Sequence, residues 1–203
     1  ELIKIVKLKC CGIKVYTGFT VSYNTKTLIP NWVAYELTNV EVDGQFPRKG
    51  QFGMDLSFKG RQAMREDYSN SGWDKGHICP QNHELNSGDW LTLEKLGREW
   101  AKKFDKVYII CGPIITNNTN GTIGSNKVVV PDAFFKAFLT VKNNVFNTIA
   151  FIMPNTSGHK RIQEYAVSVN DLEDIIGIDI FTNIDDRFEE MVESDVYFKH
   201  WGL

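Results

Sequence analysis

Residues 71–104 read SGWDKGHICPQNHELNSGDWLTLEKLGREWAKKF, and this stretch decides the fold. Its second half carries apolar and small residues mainly at intervals of three and four positions: Trp90, Leu93, Gly97, Trp100, Ala101 and Phe104. That period predicts one amphipathic helix over residues 86–104, with its apolar face packed against the rest of the protein. The first half is polar, lacks the period, and contains two of the four histidines, His77 and His83.

Runs of β-branched and aromatic residues on both sides of this stretch predict strands. Before it, residues 13–23 and 32–37 form an expected hairpin, with a turn at residues 24–27 and Pro30 closing the connection. After it, four further strands are expected: residues 107–111, 128–130, 134–141 and 145–153. The charged and glycine-containing residues 43–68 predict a long surface excursion.

Two short helices are expected near the end of the sequence. Asn170 is expected to cap residues 171–176, with Gly177 as a C-terminal stop, and residues 185–192 predict an acidic helix. Together with the strands, these helices predict the α+β class, with a central, mainly antiparallel sheet and flanking helices. Because no repeat, linker or low-complexity tract divides the chain, we expect a single domain over residues 1–203.

The composition narrows the classes of protein that fit. The 203 residues are 42% hydrophobic and 24% charged, which is typical of a globular protein and not of a disordered or fibrous one. No apolar run reaches the length of a membrane span. A net charge of −2 argues against a protein that coats nucleic acid through a strongly basic surface, but it permits a local basic groove. The four cysteines form no C-x-x-C pair and are compatible with one or two disulfides.

The polar half of the stretch contains a candidate general base. The imidazole of His77 has an ordinary pKa close to neutral pH, and Asp74 or a backbone carbonyl can fix its tautomer. By residue type alone, a hydrogen-bonded structural histidine is the more common case, since most histidines are not catalytic.

A candidate metal site begins at Asn86. Glu94 and Arg98 follow it at helical spacing, so all three side chains can face one cleft. An amide oxygen and a carboxylate suit a hard ion such as Mg²⁺, which keeps several waters and accepts few protein ligands. The alternative is that Asn86 caps the helix while Glu94 and Arg98 form an ordinary surface pair.

The motif D-K-G-H at residues 74–77, with P-Q at 80–81 and L-N at 85–86, resembles the signature of the DNA/RNA non-specific endonucleases. This is the ββα-metal, or His-Me finger, family, which includes secreted bacterial nucleases and mitochondrial endonuclease G. Five further blocks resemble the family in the same order: NWVAYELT (31–38), EDY (66–68), CGPI (111–114), VPDAFFK (130–136) and FIMPN (151–155). The resemblance extends over about residues 13–192 and implies a ββα-metal nuclease core.

The resemblance assigns roles to individual residues. It makes His77 the general base that activates water for in-line attack on a phosphodiester phosphorus, and Asn86 the direct protein ligand of the metal ion. Glu94 orients metal-bound waters, and the ion binds a phosphate oxygen and the leaving 3′ oxygen. The implied ion is Mg²⁺, or Mn²⁺ or Ca²⁺ at the same site.

The remaining implied roles concern binding of the substrate. Arg48 resembles the catalytic, phosphate-clamping arginine of the family, and Arg98 is a phosphate contact on the helix. Lys75 contacts nucleic acid, and Asp74 supports the site. The implied substrates are DNA and RNA, with little base specificity and no membrane partner. The oligomeric state stays open, with a homodimer as one alternative. Bacterial family members suggest secretion or a periplasmic location, and a chain that begins with Glu1 fits a removed signal.

The sequence departs from the family pattern at two places. Lys75 stands where the family has arginine, which keeps the charge but loses the planar fork. Only nine positions separate His77 from Asn86, whereas the family has a longer segment there that includes a strand. Three explanations fit the short junction between Pro80 and Gln81: a loop missing from the sequence, a deletion that leaves a defective nuclease, or a shortened motif that still closes the site.

Two other functions fit parts of the same sequence. A nuclease-fold protein that binds nucleic acid without cleaving it explains both the family blocks and the short junction. A zinc site at His77, Cys79 and His83 is a weaker alternative, because no convincing fourth ligand lies nearby in the sequence.

Overall fold

The computed structural model describes residues 12–44, 53–76, 79–117, 120–182 and 184–203. The strands in this part of the chain are β1 (Gly12–Val15), β2 (Thr20–Asn24), β3 (Ile29–Thr38), β4 (Asp74–Gly76), β5 (Cys79–Gln81), β6 (Lys106–Ile114), β7 (Thr122–Ile123), β8 (Val128–Val129), β9 (Ala133–Lys142), β10 (Val145–Pro154) and β11 (Ala166–Val167). The helices are α1 (Asn39–Asp43), α2 (Arg65–Tyr68), α3 (His83–Ser87), α4 (Asp89–Phe104), α5 (Val169–Ile176), α6 (Asp186–Glu193) and α7 (Phe198–Trp201), with a 3₁₀ turn over Ile162–Tyr165.

Seven strands form one sheet in the order β1-β2-β3-β6-β9-β10-β11, and each neighbouring pair is antiparallel. In its centre, Cys111 of β6 lies opposite Val33 of β3 on one side and Lys136 of β9 on the other. The strands β4 and β5 form a separate two-stranded hairpin, as do β7 and β8. The expected α+β class with a mainly antiparallel sheet is confirmed.

Helices cover both faces of the seven-stranded sheet. On one face, Trp100 of α4 meets the edge of Phe138 on β9, with ring centroids 4.9 Å apart. Gly97 permits this approach, because a Cβ at that position would lie 3.1 Å from the Phe138 ring. On the other face, Val169 and Leu172 of α5 are fully buried. The predicted amphipathic helix therefore packs on the sheet through the face that its period indicates.

The prediction of one helix from residue 86 is wrong at its start. Gly88 has φ −108° and ψ −103° and separates α3 from α4, so Asn86 lies in α3. Asn82 caps α3, since its Oδ1 accepts hydrogen bonds from the backbone N–H groups of Glu84 at 3.0 Å and Leu85 at 3.3 Å. The alternative that Asn86 is a helix cap is therefore wrong as well.

The cap of α5 also differs from its prediction. Ser168 precedes the helix, and its hydroxyl accepts a hydrogen bond from the Asp171 backbone N–H at 3.0 Å, so Asn170 lies inside the helix. Gly177 ends it as expected, in the left-handed region at φ 64°. The acidic helix expected over residues 185–192 is observed as α6.

The first hairpins are correct in outline and different in detail. Residues 13–23 form two strands and not one, because a turn closed by the Tyr16 N–H to Phe19 carbonyl hydrogen bond at 2.8 Å separates β1 from β2. The predicted hairpin of β2 and β3 is confirmed, but Pro30 lies inside β3. It sits beside a register shift in β2, where a residue without an N–H is tolerated.

The surface excursion expected over residues 43–68 lies partly outside the described residues. Of its described residues, Asp43 ends α1 and Gly44 follows it, and residues 53–64 are irregular up to α2. Within the described ranges no helix combines the length and apolar character needed to cross a membrane.

Candidate functional site

The candidate site is built by the β4–β5 hairpin and the helices that follow it. Asp74 pairs with Gln81 and Gly76 with Cys79 in this hairpin, and α3 begins two residues after β5. His77 follows Gly76 in the chain and, like Arg48, falls outside the described residues. The surface formed by Asp74, Gly76, His83 and Asn86 is called the hairpin site below.

Asp74 is the centre of the hairpin site. Its Oδ2 accepts hydrogen bonds from Asn86 Nδ2 at 3.0 Å and from His83 Nδ1 at 2.9 Å. Because an ionised carboxylate can only accept, the amide nitrogen of Asn86 must face Asp74. The amide oxygen of Asn86 is therefore turned away from Asp74, with its lone pairs available to another partner.

Gly76 allows that amide oxygen to approach the hairpin backbone. A Cβ at Gly76 would lie 2.9 Å from Asn86 Oδ1 and 2.0 Å from Gln81 Oε1, so any larger residue would collide with both side chains. Gly76 directly precedes His77 in the chain. The oxygen that the sequence predicts as a metal ligand is thus packed against the residue next to the predicted general base.

The donor set of the hairpin site fits a hard ion. In the described residues no group of three or more His, Cys, Asp or Glu side chains could hold a metal ion. One amide oxygen from Asn86 with few further protein ligands suits Mg²⁺, which retains most of its waters. The zinc alternative at His77, Cys79 and His83 includes His77, which lies outside the described residues; of the other two, Cys79 is buried and the His83 side chain is 75% exposed.

Asn155 holds the hairpin site in place, and sequence reasoning gave it no role. It is buried, and its Nδ2 donates to the carbonyls of Pro80 at 3.1 Å and Pro131 at 2.9 Å. Its Oδ1 accepts from the backbone N–H of Asn82, the cap of α3, at 2.8 Å. The end of β10 is thereby tied to β5 and to the start of α3.

Glu94 and Arg98 of α4 both act electrostatically on one buried cation, Lys136 of β9. Lys136 is 2% exposed, and its Nζ lies 4.4 Å from the centroid of the Trp90 ring. The pKa of Lys136 is lowered, chiefly by burial; the electrostatic interactions with Cys111 and Glu94 oppose this shift and that with Arg98 adds to it. Lys136 lies in a sequence block that carries the family resemblance, and the sequence analysis assigned it no function.

Lys75 lies on the opposite side of the β4 strand from Asp74 and Gly76, as the alternation of side chains along a strand requires. Its Nζ is 5.2 Å from the centroid of the Tyr68 ring. Lys75 and Tyr68 line a cavity of about 250 Å³ that also contains Phe58 and Arg65. The structure therefore separates Lys75 from the hairpin site.

A second aspartate–histidine pair lies beyond the end of α3. The carboxylate of Asp89 accepts hydrogen bonds from the Tyr165 hydroxyl at 2.6 Å, His159 Nδ1 at 3.0 Å and the Lys160 backbone N–H at 3.2 Å. Burial raises the pKa of Asp89, but these three donors outweigh burial and hold it below its usual range. Sequence reasoning missed this cluster, because its members lie far apart in the chain.

Cys79 and Cys111 are free thiols and both are buried. Burial raises the pKa of each thiol, and the electrostatic interaction with Cys111 is a smaller cause at Cys79. Both are therefore held in the unreactive protonated form.

Comparison with known families gives one match that covers most of the chain. A family model described as DNA/RNA non-specific endonuclease matches residues 6–80 and 78–187. The two matched segments overlap at residues 78–80, at the short junction between His77 and Asn86.

Similar proteins include mitochondrial nucleases and a bacterial nuclease. The mitochondrial nuclease EXOG of Danio rerio is 32% identical over 206 residues, which cover 83% of this chain and 60% of that protein. The mitochondrial endonuclease G of Caenorhabditis elegans is 28% identical, and the alignment covers 87% of this chain and 70% of that protein. A nuclease of Nostoc sp. is 27% identical, and the alignment covers 91% of this chain and 78% of that protein. The chain thus spans about 60% of the length of the EXOG relative.

A solved structure has the same fold. A chain in the crystal structure of the EndoG/EndoGI complex superposes with a TM-score of 0.77 at 23% identity, covering 85% of this chain and 86% of that one.

Proposed function

The chain belongs to the DNA/RNA non-specific endonuclease family, and we propose that it is a metal-dependent endonuclease that hydrolyses phosphodiester bonds in DNA and RNA with little base specificity. The observation that carries the proposal is the geometry of Asn86. Its amide nitrogen is held by Asp74, so its oxygen is presented against Gly76, beside His77 in the chain. A ligand of this kind next to a candidate general base is what metal-assisted hydrolysis requires.

The metal ion would be Mg²⁺, or Mn²⁺ or Ca²⁺ at the same position. Asn86 Oδ1 would hold it directly, and Glu94 would act on it through water. When bound, such an ion supplies Lewis-acid stabilisation of the charge that develops on the phosphate and on the leaving oxygen. Within the chain, Asp74 fixes the orientation of the Asn86 amide, and Asn155 fixes the hairpin against α3.

Proton transfer from the attacking water is assigned to His77. In this proposal, His77 accepts the proton of the water that attacks phosphorus, which is the role that the family motif implies. General-base catalysis by a positioned histidine contributes about 10²- to 10⁴-fold to a rate.

Substrate contacts are assigned to three basic residues. Arg48 would clamp the reacting phosphate, and Arg98, exposed on α4, would contact a neighbouring phosphate. Because Lys75 lies on the other side of β4, it would contact the nucleic acid away from the reacting phosphate. Contacts to phosphates carry no sequence information, which accounts for activity on DNA and RNA without base preference.

A nuclease-fold protein that binds nucleic acid without cleaving it is the second candidate. The short junction favours it. The alignment with the EXOG relative spans 206 positions, although it covers only 83% of this 203-residue chain, so the alignment contains gaps on the side of this chain. The relative therefore carries residues without a counterpart here.

The proposal also includes a single domain over residues 1–203 and export from the cell. For the oligomeric state, a homodimer stays an alternative to a monomer.

Cleavage of supercoiled plasmid and of a structured RNA, measured with Mg²⁺ and with EDTA, tests the proposed function. We expect wild-type protein to degrade both substrates, and both EDTA and His77→Ala to abolish the cleavage. His159→Ala is the matched control, because it removes an exposed histidine outside the hairpin site, and we expect it to retain full activity. Folded wild-type protein that binds DNA in a fluorescence anisotropy assay but cleaves neither substrate would establish the second candidate instead.

A further inference from the structure

We propose that Lys136 is a positioning residue: its buried ammonium group holds the carboxylate of Glu94 and thereby sets the place from which Glu94 acts on the metal ion. The inference rests on the metal site of the proposed function, since the role of Glu94 belongs to that proposal. Because the side chain of Lys136 is 2% exposed, it acts through Glu94 and not by contact with the substrate.

The position of Lys136 is set by the sheet and by one aromatic ring of α4. On β9 it lies opposite Cys111 of β6. Its Nζ lies 4.4 Å from the centroid of the Trp90 ring, so the side chain points to the face of the sheet that α4 covers. Phe138, two residues further along β9, meets α4 on the same face. The ring of Trp90 attracts the ammonium group and replaces part of its lost hydration.

Glu94 follows Trp90 by one helical turn. Residues four positions apart on a helix are neighbours, with Cβ atoms about 5–6 Å apart. The ring that Lys136 contacts and the carboxylate of Glu94 therefore lie on one side of α4. Trp90 is 1% exposed, whereas Glu94 is half-buried. Glu94 can thus interact with the buried ammonium group and still reach solvent-accessible ligands.

Glu94 is the acidic partner of the buried cation. Electrostatic interactions with Cys111 and Glu94 favour the charged form of Lys136, whereas that with Arg98 opposes it. Burial raises the pKa of the Cys111 thiol, so at neutral pH the thiol is protonated and carries no charge. A buried ammonium group is costly unless an opposite charge is close. Of these three groups, Glu94 is the one that compensates it.

Lys136 also competes with Arg98 for the carboxylate of Glu94. A Glu–Arg pair four residues apart on an exposed helix face is weak because water and salt screen it, whereas an interaction with a buried charge is screened less. Arg98 is exposed and Lys136 is buried. The carboxylate is therefore drawn towards the sheet, and Arg98 can contact a phosphate.

The test measures the affinity for Mn²⁺ by electron paramagnetic resonance in a double-variant cycle. Lys136→Met removes the charge and retains an unbranched side chain, and Glu94→Gln removes the carboxylate. We expect each single variant to bind Mn²⁺ about tenfold more weakly than wild type. The double variant should bind it no more weakly than Glu94→Gln, because Lys136 acts through that residue. Lys136→Arg, which keeps the charge, should retain most of the affinity.

Cys111→Ala is the matched control, because it removes a buried neighbour of Lys136 without changing a charge. We expect it to bind Mn²⁺ as wild type does. Circular dichroism melting establishes that each variant is folded, and Lys136→Gln takes the place of Lys136→Met in the cycle if Lys136→Met unfolds.

The possible results separate this inference from the proposed function. Wild-type affinity in Lys136→Met or in Glu94→Gln would overturn the inference, as would equal losses in Lys136→Met and Cys111→Ala. A double variant whose loss is the product of the two single losses would overturn it too, because Lys136 would then act independently of Glu94. Wild-type protein that binds Mn²⁺ but cleaves neither plasmid nor RNA would overturn the proposed function, and the cycle would still decide the role of Lys136. Absence of Mn²⁺ binding by wild type would overturn both.

Discussion

Two aspartate–histidine pairs lie on either side of α3, and they differ in what surrounds the carboxylate. Asp89 has an 11% exposed side chain and three hydrogen-bond donors around it, one of them the Tyr165 hydroxyl. Asp74 is 33% exposed and bonds two side chains, His83 and Asn86. The Asp89 cluster joins distant segments of the chain, whereas the Asp74 cluster directs the Asn86 amide oxygen against Gly76 and contains an exposed imidazole, that of His83.

This comparison indicates that the same residue pair can lie in two different surroundings. In both pairs the histidine Nδ1 donates to an aspartate at about the same distance. The difference lies in the third partner, which is a tyrosine hydroxyl at Asp89 and the amide of Asn86, the proposed metal ligand, at Asp74. We therefore expect changes at Asp74 to affect activity and changes at Asp89 to affect stability.

The largest effect is expected for Asp74→Asn. An asparagine oxygen can still accept from His83 and Asn86, but the neutral amide weakens both hydrogen bonds and can rotate to present its nitrogen instead, so Asn86 is held less firmly in its orientation. We expect the rate of plasmid cleavage to fall by about 100-fold, with the melting temperature nearly unchanged. Cleavage within a few-fold of wild type would show that Asp74 does not support the site.

A smaller effect, of a different kind, is expected for Asp89→Asn. This substitution weakens three hydrogen bonds to a buried carboxylate, and we expect the free energy of unfolding to fall by about 2 kcal/mol. At temperatures below the transition, the cleavage rate per folded molecule should match wild type. Urea unfolding at pH 7 measures the free energy of unfolding. A large loss of activity in the folded variant would contradict the expectation that Asp89 affects stability while Asp74 affects activity.

The smallest expected effect is the pH dependence of the difference in unfolding free energy between wild type and Asp89→Asn. Since the pKa of Asp89 is lowered in the folded state, its contribution is fully present above the ordinary aspartate pKa of about 4, and it is lost as the pH falls through the lowered value. The stability gap between wild type and Asp89→Asn should therefore be constant from pH 7 to 5 and narrow below pH 4. A gap that is independent of pH down to 3 would show that the carboxylate charge does not contribute.

Local patterns in the sequence predicted α4, the central strands and the antiparallel sheet, because each depends on a period within one segment. They did not predict the break at Gly88, since a single glycine is compatible with a continuing helix. The separation of Lys75 from Asp74 was predictable from strand alternation once β4 was recognised as a strand.

The parts of the site that the sequence left out depend on contacts between distant segments. Asn155 bonds the backbone of Asn82, 73 residues away, and Tyr165 bonds Asp89, 76 residues away. No spacing rule connects such pairs, because they meet only after the sheet has brought β10 beside the hairpin. The family resemblance identified Asp74 and Asn86, but their hydrogen bond and the place of His83 beside them required the structure.

The most direct test of the central claim is the binding of Mn²⁺, followed by electron paramagnetic resonance, to wild-type protein and to Asn86→Ala. If the amide oxygen held by Asp74 is the metal ligand, wild type binds one Mn²⁺ ion per chain, and Asn86→Ala binds it at least about tenfold more weakly. Equal affinity in the two proteins would contradict the claim that the hairpin site is a metal centre.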